Sequence, residues 1–301
     1  MNARRRQVSA RTAASVTVAE AGSGRIEFAC IAPHGDLAIP EACAPEHRGL
    51  AASTQAAMAE LGRRFKAAGP DVVVVLTPHG IHIDGHLAVV TAGHVVGALD
   101  ETPAVSLELR TDRELASATI RAMRADGLAV VGVSYGGNDA AKAVMPLDWG
   151  SLIPLWYLGG RRQPPVPVVI VAPARDLPPD HHVATGVAVA RAIAETGRRA
   201  AIVASADQAH THRTDGPYGF DPAAAVHDEL LVRLLREGRL GAIRDLDPAL
   251  VEAAKPDSWW QHLILLGAIG EAWRPEVLSY EAPTYYGMLC AAFEPPAGRN
   301  E

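Results

Sequence analysis

Apolar residues along this chain gather in short unbroken runs. Longer stretches with apolar positions at helical spacing lie between them. Val72–Leu76 (VVVVL), Val166–Val171 and Ala200–Ala204 are such runs, and Ile26–Ala32 (IEFACIA) is another, interrupted only by Glu27. Their length and composition fit strands covered on both faces. His86–Thr91, Leu128–Val133 and Tyr285–Phe293 read as further strands, and Val105–Leu109 alternates as a half-exposed strand does. Helices are predicted over Pro45–Ala68, Arg113–Asp126 with Thr111 as its cap, Ser151–Leu158, Asp180–Thr196, Pro222–Glu237 and Ser258–Ile269. Gly69-Pro70 stops the first of these and Gly197 the fourth. Strands alternating with helices predict an α/β fold, a single domain with a central mixed sheet flanked by helices. That domain is expected over residues 25–295, after a disordered tail at 1–24 and before a short tail at 296–301.

Two of these runs end in the same letters. The first passes into Pro33-His34-Gly35, and the second passes Thr77 into Pro78-His79-Gly80. Each therefore sets a histidine at the carboxyl end of a strand, where open α/β sheets build their sites. Two imidazoles delivered alike suggest a shared metal ion. The blander reading is two loop histidines bonded to water or backbone. A third run leads into Ser205-Ala206-Asp207-Gln208-Ala209-His210-Thr211-His212, a polar loop expected on the same rim, with Asp207 able to orient a histidine. A facial set of two histidines and one carboxylate needs an acid, and Asp148, Glu252, Asp257 and Glu281 are the candidates near apolar segments. Asp257 also stands where it could simply cap the helix that follows. No HExxH, GxSxG or Walker pattern occurs.

Composition narrows the partners. The 301 residues are 49% hydrophobic and 21% charged, which is ample for a core. A formal charge of −6 offers no basic footprint for nucleic acid. Three cysteines without a CxxC pair fit a reducing, cytoplasmic setting. No apolar stretch reaches the roughly 20 residues a membrane helix needs.

From about Ile26 to Phe293 the chain resembles the class III extradiol ring-cleavage dioxygenases. The resemblance rests on the two PHG strand ends, on Pro70-Asp71-Val72-Val73-Val74 before His79, and on the small polar loop ending in histidine. A helix start with an aspartate follows that loop in the family, and Phe220–Leu231 with Asp228 fits it. The resemblance implies a non-haem iron enzyme that opens the ring of a catechol- or aminophenol-type substrate with O2. It implies Fe(II), with Zn(II) or Mn(II) as alternatives, held by His34 and His79, and His210 as acid–base catalyst. The family's third ligand is a glutamate before an apolar helix ending in Gly-Ala. Here the nearest acid is Asp257, with Glu252 as the fallback. Where the family often carries Asp-His-Gly, this chain has Asp148-Trp149-Gly150, and indole is a donor only. Trp149, His212 and Tyr285 are the expected substrate contacts. A homodimer or larger assembly, or one with a small second subunit, is also implied. Two other readings stay open: a ligand-binding protein that lost the chemistry, and a zinc hydrolase on the same site.

Overall fold

The sheet's parallel centre decides where everything else sits. In the computed structural model, which describes residues 24–297, the first half of the chain forms β1 (Arg25–Ala32), α1 (Ala52–Ala68), β2 (Val72–Leu76), β3 (Leu87–Val90), β4 (His94–Ala98), β5 (Ser106–Arg110), α2 (Arg113–Ala125), β6 (Val130–Val133), β7 (Val144–Pro146) and α3 (Trp149–Tyr157). The second half forms β8 (Val168–Ala172), α4 (Pro179–Thr196), β9 (Arg199–Ser205), α5 (Ala223–Arg236), α6 (Pro248–Ala254), α7 (Trp259–Ile269), β10 (Arg274–Glu281) and β11 (Met288–Glu294). Eight strands make one sheet in the order β10-β11-β1-β9-β2-β8-β3-β6, and β5-β4-β7 make a smaller one. The four adjacent strands β1, β9, β2 and β8 run parallel, while β11 and β3 flank them antiparallel. The sheet is therefore mixed, as expected, and four carboxyl ends lie side by side.

The unbroken apolar runs are explained by two buried faces. In β2, Val72, Val74 and Leu76 enter one core cluster, and Val73 and Val75 enter the other. The period-2 geometry of a strand sends neighbours to opposite sides, so each side must be apolar when both are covered. Helices α2, α4, α5 and α7 cover the first face. Helices α1 and α3 and the smaller sheet cover the second. Helix α7 is apolar nearly all round and sits inside the first layer. It packs on α4 at Gly186 and Gly267, where an added methyl would meet the backbone of the facing helix at Ile264 and Val183.

Several boundaries differ from the sequence reading. Helix α1 begins at Ala52, because Pro45–His47 closes off as a separate 3-10 turn. Asp112, not Thr111, caps α2 by accepting from Leu115 N–H at 3.0 Å. The last strand starts at Met288, since Tyr285 and Tyr286 lie in the loop that faces the site. Strands β4, β7 and β10 and helix α6 escape the pattern; β7 is only three residues long, and β4 and β10 are partly exposed and carry polar residues. The expected tail at residues 1–24 falls outside the described residues except for Gly24, as do residues 298–301 of the expected C-terminal tail. Among the described residues no helix is long and apolar enough to cross a membrane, and the three cysteines are buried and unpaired.

Candidate metal centre

Each of the four parallel strands delivers a polar side chain to one cleft. His34 follows β1, His79 follows β2, Asp207 and His210 follow β9, and Arg175 follows β8. The cleft holds about 650 Å³. Asp257 joins them from the turn between α6 and α7.

His34, His79 and Asp257 converge. His34 Nε2 lies 3.0 Å from His79 Nε2 and 3.1 Å from Asp257 Oδ2, and His79 Nε2 lies 3.4 Å from the same oxygen. Asp207 Oδ2 stands 3.5 Å from His34 Nε2, and His210 Nε2 stands 3.8 Å from Asp257 Oδ2. Asp257 does not cap α7, whose first turn takes no side-chain cap. Its Oδ1 instead accepts from Asp207 N–H at 3.1 Å, which turns Oδ2 toward the histidines.

The hydrogen-bond network fixes the tautomer of His34. The Ser205 hydroxyl donates to the Gly150 carbonyl. Its lone pairs are left to accept from His34 Nδ1–H at 3.0 Å. A neutral His34 then presents a lone pair at Nε2 to a carboxylate oxygen and a second imidazole nitrogen. His34 Nε2 and the Asp257 oxygen are then acceptors face to face in a buried site, and a proton on either imidazole or a metal ion between them relieves the contact. The electrostatics agree. Burial works against charge on His34, but Asp207 and Asp257 outweigh it and lift its pKa to about 9. Burial likewise opposes charge on Asp257, yet His34 and the bonds from His34 and His79 hold its carboxyl well below the usual range. Burial raises Asp207, and the neighbouring Asp257 adds to that. Two histidines and a carboxylate with such mutual distances fit the donor set of a divalent cation.

The walls are built from short-range rules. Asp148 caps α3 by accepting from Ser151 N–H at 2.9 Å, and also accepts from the Thr77 hydroxyl at 2.7 Å. That cap sets Trp149, 52% exposed, in a stack on His79 with centroids 4.3 Å apart. Tyr286 stacks on His210 at 5.7 Å and Tyr285 tilts against it at 6.0 Å.

Of the residues singled out in the sequence, His34, His79, His210, Asp257, Trp149 and Tyr285 all line the cleft. His212 does not. Its ring bonds Asp228 at 2.8 Å and faces Tyr280, because the loop turns after His210. Glu252 is also elsewhere, exposed and paired with Lys255. Glu281 accepts from Thr54 N–H at the start of α1, and Asp148 is occupied as a cap. Sequence reasoning passed over Arg175, Tyr218 and Lys255. Arg175 follows a buried strand just as the two histidines do, so the same rule would have found it.

Fold and donor set together define an α/β protein with a metal-binding type of site at its strand ends. The chain belongs to the family of the catalytic LigB subunit of aromatic ring-opening dioxygenase, which matches residues 28–291. It is 26% identical over 266 residues to Protein CA_C1420 of Clostridium acetobutylicum, covering 85% of this chain and 55% of that protein. It thus spans about half the length of this curated relative. Its fold is similar to that of the uncharacterized protein JW3007 from Escherichia coli K12. The TM-score is 0.61 at 17% identity, covering 88% of this chain and 98% of that one.

Proposed function

We propose that this chain is a non-haem Fe(II)-dependent extradiol dioxygenase acting on a catechol- or aminophenol-type substrate. The observation that carries the reading is the convergence of two imidazoles and a carboxylate at the strand ends. His34 Nε2, His79 Nε2 and Asp257 Oδ2 lie within about 3.4 Å of one another, as the donor set of a shared ion does. His34, His79 and Asp257 would hold the ion. When bound, ferrous iron would supply the electron density that activates dioxygen beside a chelated aromatic diol; three protein ligands leave room for both.

The residues of the chain divide the remaining work. His210 stands within reach of the same centre and takes the substrate's hydroxyl proton, then returns it. An imidazole suits both directions because its ordinary pKa lies near neutrality. Trp149, Tyr285 and Tyr286 wall the cleft with flat faces, which orient a planar ring and exclude water. Holding both reactants side by side supplies several kcal/mol of the barrier.

The test is anaerobic reconstitution with Fe(II), then a screen of catechols and aminophenols for dioxygen uptake and a coloured ring-opened product. His210→Phe should keep the iron and lose turnover; unchanged turnover would remove His210 from the mechanism. Trp149 stands where the family often has a proton-accepting histidine, which favours a second reading. In that reading the cleft binds a ligand, or activates water on zinc, without consuming oxygen. Hydrolysis without oxygen uptake would favour zinc, and metal-free protein without turnover would favour the binder.

A further inference from the structure

Nothing holds the His210 ring through a hydrogen bond from a described side chain; its Nδ1 is buried without a partner. Its position is therefore set by its backbone and by stacking. Behind it lies Asp228 of α5, wholly buried and outside the cleft. Asp228 Oδ1 accepts from Ala209 N–H at 3.0 Å and from His227 Nδ1 at 2.8 Å. Its Oδ2 accepts from His212 Nε2 at 2.8 Å and from the Tyr280 hydroxyl at 2.7 Å. Burial opposes its charge, but the bonds from His212, His227 and Tyr280 keep the carboxyl at about 2.

Two of those four donors, Ala209 and His212, flank His210 in the loop. Asp228 is the one side chain among the described residues that bonds the loop on both sides of that histidine. The other two donors tie the carboxylate to its own helix and to β10. Gly287 closes the remaining side, because a Cβ there would run into Asp228 Oδ2 and Gln208. A carboxylate with four donors and a wall behind it has one position.

We propose that Asp228 is the positioning residue of the centre. It clamps the loop at Ala209 and His212 and so fixes the His210 ring over His34, His79 and Asp257. This rests on the role given to His210 above. Misplacing a catalytic group by about 1 Å costs roughly a hundredfold in rate. The metal ligands come from other segments, so releasing the clamp should leave the ion in place.

The experiment compares the full-length wild type with Asp228→Ala and Asp228→Asn, all loaded with Fe(II). In Asp228→Ala, kcat should fall by about 10- to 100-fold while KM and metal stoichiometry stay within twofold. Amide exchange should quicken in the peptide covering residues 208–213 and not across the sheet. The His210 ring should react faster with diethyl pyrocarbonate. Asp228→Asn should recover much of the loss. Its amide oxygen still accepts from Ala209 and His227, while Tyr280 can rotate and His212 can change tautomer to face the NH2. A purely structural role would instead raise exchange throughout and shed metal in step with kcat. That result, or wild-type kcat with unaltered loop exchange, would overturn the proposal. Should Asp228→Ala fail to fold, His212→Ala cuts the loop's side-chain tie alone, and wild-type exchange and kcat there would overturn it equally. If the wild type itself turns over no diol, the dioxygenase reading fails. The loop exchange and the His210 reactivity then decide the positioning role by themselves.

Discussion

In the metal-free chain the folded state holds a proton on His34 tightly, and that proton has a measurable effect on stability. Its pKa is lifted from an ordinary 6.5 to about 9 in the folded chain, by Asp207 and Asp257 against the opposing effect of burial. The folded state thus binds the proton more tightly than the unfolded state does. The contribution is fully present below about pH 6.5 and is lost as pH rises through about 9. Each tenfold gain in proton affinity is worth about 1.4 kcal/mol, so the loss approaches about 3 kcal/mol. His34 is only 2% exposed, so little of this is screened. The assay is urea unfolding of metal-free protein in chelator at a series of pH values from about 6 to about 10. Buried thiols contribute in the same direction, since burial pushes Cys290 up to about 12 while unfolded thiols ionise near 8.5. The difference between wild type and His34→Gln isolates the imidazole. A difference that is flat with pH, or that grows as pH rises, would refute the reasoning. Metal-loaded protein should lose most of the slope, because a cation replaces the proton.

Other expectations are more local. Asp257→Ala should abolish stoichiometric metal binding by calorimetry; full retention would mean another carboxylate completes the set. Lys255 ends α6 in the left-handed region at φ +53°, the only non-glycine residue there among the described ones. Lys255→Gly should therefore raise stability by about 0.5 kcal/mol in denaturant titration, and a clear loss would contradict the strain. Gly267→Val should lower stability by about 1–3 kcal/mol, because its side chain would force α7 off the α4 backbone at Val183; an unchanged midpoint would contradict that close approach.

Much of the fold was legible because β1, β2, β8 and β9 are buried on both faces. That condition writes itself into the chain as near-continuous apolar runs. The PHG ends then located two of the three converging groups. Asp257 could not be settled from sequence, since capping and metal binding both place an aspartate before a helix. The structure removes the cap: Asp207 N–H, fifty residues away in the chain, takes up the oxygen a cap would have used. His212 was misjudged for a related reason. Two histidines spaced by one residue look equivalent in a loop, but only contacts from α5 and β10 show that one faces inward to Asp228. Strand β10 was invisible because its residues are half-exposed at the sheet's edge and charged at both ends.

The most direct measurement is titration of the metal-free protein with Fe(II) under anaerobic conditions, with the bound ion counted after desalting, for the wild type and for His34→Ala and His79→Ala. One ion per chain in the wild type and none in either variant is the expected result. A wild type that binds no ion, or variants that keep theirs, would contradict a shared centre at these strand ends.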